Sequence, residues 1–95
     1  MRGLTGLVST WRVVFTKQAQ KDAVRLERAG LRDRAEQLLA ILREDPYRNP
    51  PQFEKLTGDL AGAYSRRINI QHRLVYQVFN EEHAVKVVRM WTHHE

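Results

Sequence analysis

The stretch Tyr64-Ser65-Arg66-Arg67-Ile68-Asn69-Ile70-Gln71-His72-Arg73-Leu74-Val75-Tyr76 reads as two β-strands joined by a tight turn. Side chains along a strand alternate between its two faces. Tyr64, Ile68 and Ile70 therefore share one face, and Ser65, Arg67 and Asn69 the other. Arg66 falls among the apolar positions, which marks an edge, a bulge or a paired site. The second strand runs from Arg73 to Phe79, with Leu74, Tyr76 and Val78 on one side and Arg73, Val75 and Gln77 on the other. The turn at Asn69 to Gln71 thus sets Arg67 and Arg73 on paired strands, both off the core face. Asn80-Glu81-Glu82-His83 is a further turn, and the valine-rich run from Ala84 to Trp91 is the last strand.

Upstream the period changes. Trp11-Arg12-Val13-Val14-Phe15 is β-branched and aromatic, a first strand. Thr16 is an N-cap for a helix over 17–29, with Ala19, Ala23 and Leu26 on its buried face. Gly30 suits the left-handed position that closes a helix. Ala35, Leu38, Leu39 and Leu42 follow the i, i+3, i+4, i+7 spacing of a second helix, which Pro46 stops. Residues 45–58 carry Pro46, Pro50, Pro51 and Gly58 and read as a loop. The order β-α-α-β-β-β predicts a small single α+β domain: a four-stranded, mainly antiparallel sheet packed on a helical hairpin.

Ninety-five residues suffice for one domain, and 28% charged against 42% hydrophobic residues is a globular balance. The formal net charge of +5 favours a polyanionic partner, either nucleic acid or an acidic protein. Without cysteine, neither a disulfide nor a thiolate metal site can form. Residues 1–10 are too short and interrupted for a signal peptide or a membrane span, and read as a loose extension before a domain over 11–95. A cytoplasmic, membrane-free protein is expected.

Acid, arginines and histidines are the parts that cut RNA without a metal or cofactor. A base takes the 2′-hydroxyl proton, an acid protonates the leaving 5′-oxygen, and cations hold the charge on the phosphate. Glu54 is the candidate base, although pattern alone favours a solvated surface acid. Arg67 and Arg73 are either a phosphate clamp or a solvated basic face, since the planar guanidinium fork matches two phosphate oxygens. Arg66 is structural or a peripheral RNA contact. His93 and His94 are the candidate acids or an exposed tail. Adjacent histidines on a strand point apart, so they make a poor metal site. Trp91 and Tyr64 either stack on bases or pack in the core. His72 and His83 lie in or beside turns and carry no expected chemistry.

Leu56-Thr57-Gly58-Asp59-Leu60-Ala61-Gly62-Ala63-Tyr64-Ser65-Arg66-Arg67-Ile68, continued by His72-Arg73-Leu74-Val75-Tyr76, resembles the Txe/YoeB toxins of the RelE superfamily. The ending Arg89-Met90-Trp91-Thr92-His93-His94 is similar to a branch of that family closing on Trp-Thr-His-Tyr. The resemblance covers about residues 11–95. It implies a RelE-like, microbial-RNase-like fold and a ribosome-dependent endoribonuclease cutting mRNA in the decoding site of the 70S ribosome. It also implies neutralisation by a wrapping antitoxin of the YefM kind. By the same resemblance Glu54 is the general base, Arg73 stabilises the transition state, His93 is the general acid and Arg67 attends the phosphate. Two positions depart from the pattern. Thr57 stands where much of the family has a phosphate-side lysine, and His94 stands where it has a terminal tyrosine, which leaves either histidine as the acid.

Two rival readings stay open: a non-catalytic binder such as a gyrase-poisoning relative, and a basic protein-binding module. Oligomeric state is open as well, with a homodimer among the options.

Overall fold

Every expected regular element is present in the computed structural model, which describes residues 10–91, and one unexpected strand joins them. In chain order these are β1 (Arg12–Phe15), α1 (Lys17–Arg28), α2 (Arg32–Glu44), β2 (Phe53–Lys55), a 3-10 turn (Gly58–Leu60), β3 (Ala63–Arg67), β4 (Arg73–Phe79) and β5 (Ala84–Arg89). The sheet has five strands rather than four, ordered β1-β5-β4-β3-β2. All pairings are antiparallel except β1 with β5. Of the extension expected over 1–10, residues 1–9 lie outside the described residues, as do His93 and His94.

Local chemistry accounts for the helix boundaries. The Thr16 hydroxyl accepts from the Ala19 amide at 3.0 Å, capping α1, and donates to the Val88 carbonyl at 2.7 Å. One side chain thereby starts the helix and ties it to β5. At the other end Gly30 has φ 77°, the conformation that costs a glycine least. There the Leu31 amide reaches the Leu26 carbonyl and the Gly30 amide that of Glu27, closing the helix end.

The helices cover one face of the sheet. Leu26, Leu39 and Leu42 pack there against Ile68, Leu74, Tyr76, Val85 and Val87. Ala23, expected on this face, is exposed, and Asp22 is buried in its place. The alternation from Tyr64 also stops earlier than expected. Strand β3 ends at Arg67, and Ile70 sits 85% exposed in the turn. The Asn69 side chain builds that turn by accepting from the Gln71 and His72 amides.

The last strand ends at Arg89, not Trp91, and carries an irregularity. Val75 pairs with Arg89 and Tyr76 with Val87, so Val88 is an extra residue. Such a bulge reverses the alternation. Before it Val85 and Val87 enter the core, and after it Met90 does. Arg89 is consequently placed in the cross-strand row of Val75, Ser65 and Glu54, on the face away from the helices.

Candidate active site

The face away from the helices can be read row by row from the register. Arg12, Ala84 and Phe79 lie across one row, and Val14, Lys86, Gln77 and Ala63 across the next. Arg89, Val75, Ser65 and Glu54 make the third, and Arg73 with Arg67 the last. Five cations and one carboxylate share this surface. Like charges so arranged raise the local concentration of anions.

Glu54 lies on β2, not in a loop as expected, directly opposite Ser65. Arg67 and Arg73 are direct cross-strand partners. Two like charges so placed repel, and Glu54 offsets this. Arg73 Nη1 donates to Glu54 Oε1 at 2.9 Å and to the buried Ser65 hydroxyl at 3.3 Å. These groups line a cavity of 230 Å³ with Pro51 and Gln52. The Arg73 and Glu54 side chains keep 34% and 55% of their surface exposed, so the ion pair faces solvent and the site is open. An exposed pair of this kind is worth about 0–1 kcal/mol, little enough for an incoming anion to displace.

Of the two readings of Arg66, the structural one holds, and the phosphate or RNA contact is corrected. Arg66 is fully buried on the helix-side face and spends its donors on the protein. Nε donates to the Tyr76 hydroxyl at 3.0 Å, Nη2 to the Pro46 carbonyl at 3.0 Å, and Nη1 to the Pro51 carbonyl. Its guanidinium also lies 4.9 Å from the Phe53 ring centre. The Tyr76 hydroxyl in turn donates to the Pro46 carbonyl at 3.1 Å. Burial pushes the Tyr76 phenol up from its ordinary value, with the Arg66 charge partly opposing. Arg66 therefore pins the proline-rich segment at two carbonyls. From Pro51 only two residues lead to Glu54. A buried cation on one face sets the position of the carboxylate on the other.

The remaining expected residues divide. Thr57 stands at the N-cap position of the 3-10 turn, makes no capping hydrogen bond with its side chain and is exposed, outside the lining of the Glu54 cavity. Tyr64 sits in an aromatic cluster with Tyr47, Phe53 and Tyr76, which makes it a packing residue. Trp91 stacks on the buried His72 ring at 3.9 Å between centroids. His83 stacks likewise on Trp11. Among the described residues no group of His, Asp or Glu side chains is arranged to hold a metal ion.

Sequence reasoning missed Asp22. Its Oδ2 accepts from the Met90 and Trp91 amides at 2.9 and 3.2 Å, and Oδ1 accepts from Gln18. A carboxylate on α1 thus holds the chain two residues before His93. The signal was its place on the stripe Ala19, Asp22, Leu26, where the apolar Ala23 is one position away.

Comparison with known proteins identifies the family and the fold. A family model described as a YoeB-like toxin of bacterial type II toxin–antitoxin systems matches residues 15–94. A toxin YoeB of Streptomyces coelicolor is 32% identical over 80 residues, covering 82% of this chain and 95% of that protein. Among solved structures, a YoeB/ParE toxin from Agrobacterium tumefaciens superposes with a TM-score of 0.77 at 28% identity, covering 87% of this chain and 99% of that one. The toxin-fold chain in a YoeB–YefM complex from Staphylococcus aureus gives 0.73 at 31% identity, covering 88% and 98%. YafQ from E. coli, at 14% identity and a TM-score of 0.76, shares the fold.

Proposed function

The chain belongs to the YoeB family of bacterial type II toxins, and from that premise we propose that it is an endoribonuclease arresting translation by cutting mRNA in the ribosomal decoding site. The observation that carries the reading is the convergence of Glu54, Arg73 and Arg67 on one solvent-open cavity. A carboxylate beside two guanidinium groups suits general-base attack on a phosphodiester.

In the resting site Arg73 is bound to Glu54. A phosphate entering between Arg67 and Arg73 accepts from both forks and relieves their repulsion. Arg73 then turns from carboxylate to phosphate, and Glu54 is released to take the 2′-hydroxyl proton. The 2′-oxygen attacks the adjacent phosphorus, its new bond forming as the bond to the 5′-oxygen breaks. A histidine of the terminal pair, His93 or His94, gives the leaving oxygen its proton. The products are a 2′,3′-cyclic phosphate and a free 5′-hydroxyl. In the resting site Ser65 also accepts from Arg73, a second anchor besides Glu54.

The partner reading follows the same premise. A relative from Staphylococcus aureus was solved as a complex with YefM, and another structure of that toxin is a dimer. A YefM-type antitoxin and a homodimeric state are proposed for this chain, acting in the cytoplasm where mRNA is translated. Among the described residues no helix is long and apolar enough to cross a membrane.

End-mapping of mRNA in a translation extract tests the activity. Wild type is expected to produce new cyclic-phosphate ends, and Glu54→Ala and His93→Ala to lose most of them. Intact mRNA with wild type, or equal cleavage by all three, rejects the reading. Falling DNA supercoiling with intact mRNA would select the gyrase-directed alternative.

A further inference from the structure

A second cavity, of 450 Å³, adjoins the first and shares two residues with it, Pro51 and Arg67. Leu38 and Ile68 lie buried beneath it, Ile41 and Pro51 are half-buried at its wall, Gln37 adds a polar amide, and its far rim is Arg34 on the outer surface of α2. Arg34 and Arg67 are both exposed, and among the described residues no ion pair is seen for Arg34. Helix α2 presents Arg34, Leu38 and Ile41 on one side, as the i, i+4, i+7 spacing requires. A cation thus stands at each end, with the Ile41 and Pro51 surface and the Gln37 amide between. A nucleotide within a strand has that division, with a phosphate at each side of a base whose faces are apolar and whose edge hydrogen-bonds. Pockets that enclose a small ligand hold about 300–1,000 Å³, so one nucleotide is the right scale.

We infer that this groove is a binding subsite for the RNA nucleotide flanking the scissile phosphate, with Arg34 taking the next phosphate along the strand and Ile41 and Pro51 receiving the base. The inference rests on the endoribonuclease reading and extends it. Arg67 sits at the junction, where it reaches the scissile phosphate from one side and the flanking nucleotide from the other. Continuity through Arg67 and the cationic rim favour an RNA strand. An acidic antitoxin segment is the competing occupant, and antitoxin capture by the Arg34→Glu variant separates the two.

Photocrosslinking with the full chain on programmed ribosomes tests this directly. The mRNA carries a 2′-O-methyl group at the scissile nucleotide, which blocks cleavage, and 4-thiouridine at one flank or the other. One flank is expected to crosslink to α2 near Arg34 and Ile41. Flank crosslinks found only elsewhere on the chain overturn the subsite and leave the nuclease reading standing. No crosslink anywhere on the chain, with mRNA intact in the cleavage test, sinks both.

Kinetics supply the second arm. Arg34→Glu is expected to raise the KM for programmed ribosomes about tenfold, with kcat nearly kept. The charge-matched Arg28→Glu on α1 is the control and should leave both constants alone. Equal KM changes in the two variants reduce the effect to general charge and overturn the subsite. So does an Arg34→Glu variant that cleaves normally but no longer captures a YefM-type antitoxin, which assigns the groove to protein instead.

Discussion

Arg66 and Arg67 are neighbours in the chain and opposites in the fold. The strand turns one guanidinium into the core and the other into solvent. Arg66 is satisfied by two backbone carbonyls and a phenol, and so holds the proline-rich segment to the sheet. Arg67 faces Arg73 across an open cavity that carries one carboxylate. The comparison teaches that identical side chains divide the work of a site. The face under the helices fixes where Glu54 stands, and the open face carries the cations to which the proposed chemistry is assigned. Loss on the first face should appear as stability, and loss on the second as rate.

The largest break in that division is expected from Arg73→Ala. Removing a preorganised donor to the developing phosphate charge costs about 10²–10³-fold in kcat. Single-turnover cleavage rates should show it while the melting temperature barely moves. A matching collapse in stability would erase the distinction between faces.

Arg66→Met should behave in reverse. It takes the charged donor from the Pro51 carbonyl and leaves the Pro46 carbonyl only the Tyr76 hydroxyl, and charged hydrogen bonds are worth about 1.5–3 kcal/mol each. Urea denaturation should show a loss of about 3 kcal/mol or more. Activity should fall too, because Glu54 loses its anchor, and lowering the temperature should recover part of it.

A smaller effect is expected at Tyr76. Tyr76→Phe removes its two hydrogen bonds, which costs about 1–3 kcal/mol because the Arg66 Nε is left buried without a partner. The raised phenol also predicts a pH dependence. The folded state keeps the proton longer than the unfolded chain, so the contribution is whole below the unfolded value near 10. It is lost as pH rises through the higher folded value. Alkaline denaturation should therefore begin above about pH 10 in wild type and lose this component in Tyr76→Phe.

The smallest effect should be that of Glu54→Gln on stability, under about 1 kcal/mol by denaturant midpoint, because its ion pair with Arg73 is open to solvent. A larger loss would make Glu54 a structural residue and undo the contrast.

How far the chain could be read follows the same line between faces. Alternation from Tyr64 placed Arg67 and Arg73 on the open face and flagged Arg66 as out of place, because the period of a strand is local. The partners of Arg66 are carbonyls 15 and 20 residues away, and no local pattern encodes them. Strand β2 was missed because three residues between Pro51 and Gly58 give no period, and pairing with β3 alone makes them a strand. The bulge at Val88 was invisible among valines, so Arg89 was not placed on the open face. Asp22 was passed over because apolar pattern preferred its neighbour, while the amides it holds are those of Met90 and Trp91, just beyond β5. Membership in the YoeB family was legible in Ser65-Arg66-Arg67 and His72-Arg73-Leu74, the residues that build both faces.

The most direct test of the account is the single-turnover rate of mRNA cleavage by Glu54→Gln, measured with every ribosome carrying the toxin. A fall of about 10²–10⁴-fold at unchanged ribosome occupancy is the predicted result, the range expected for loss of a general base. Cleavage at the wild-type rate by a folded, fully bound Glu54→Gln would contradict it, and the open face would then bind RNA without cutting it there.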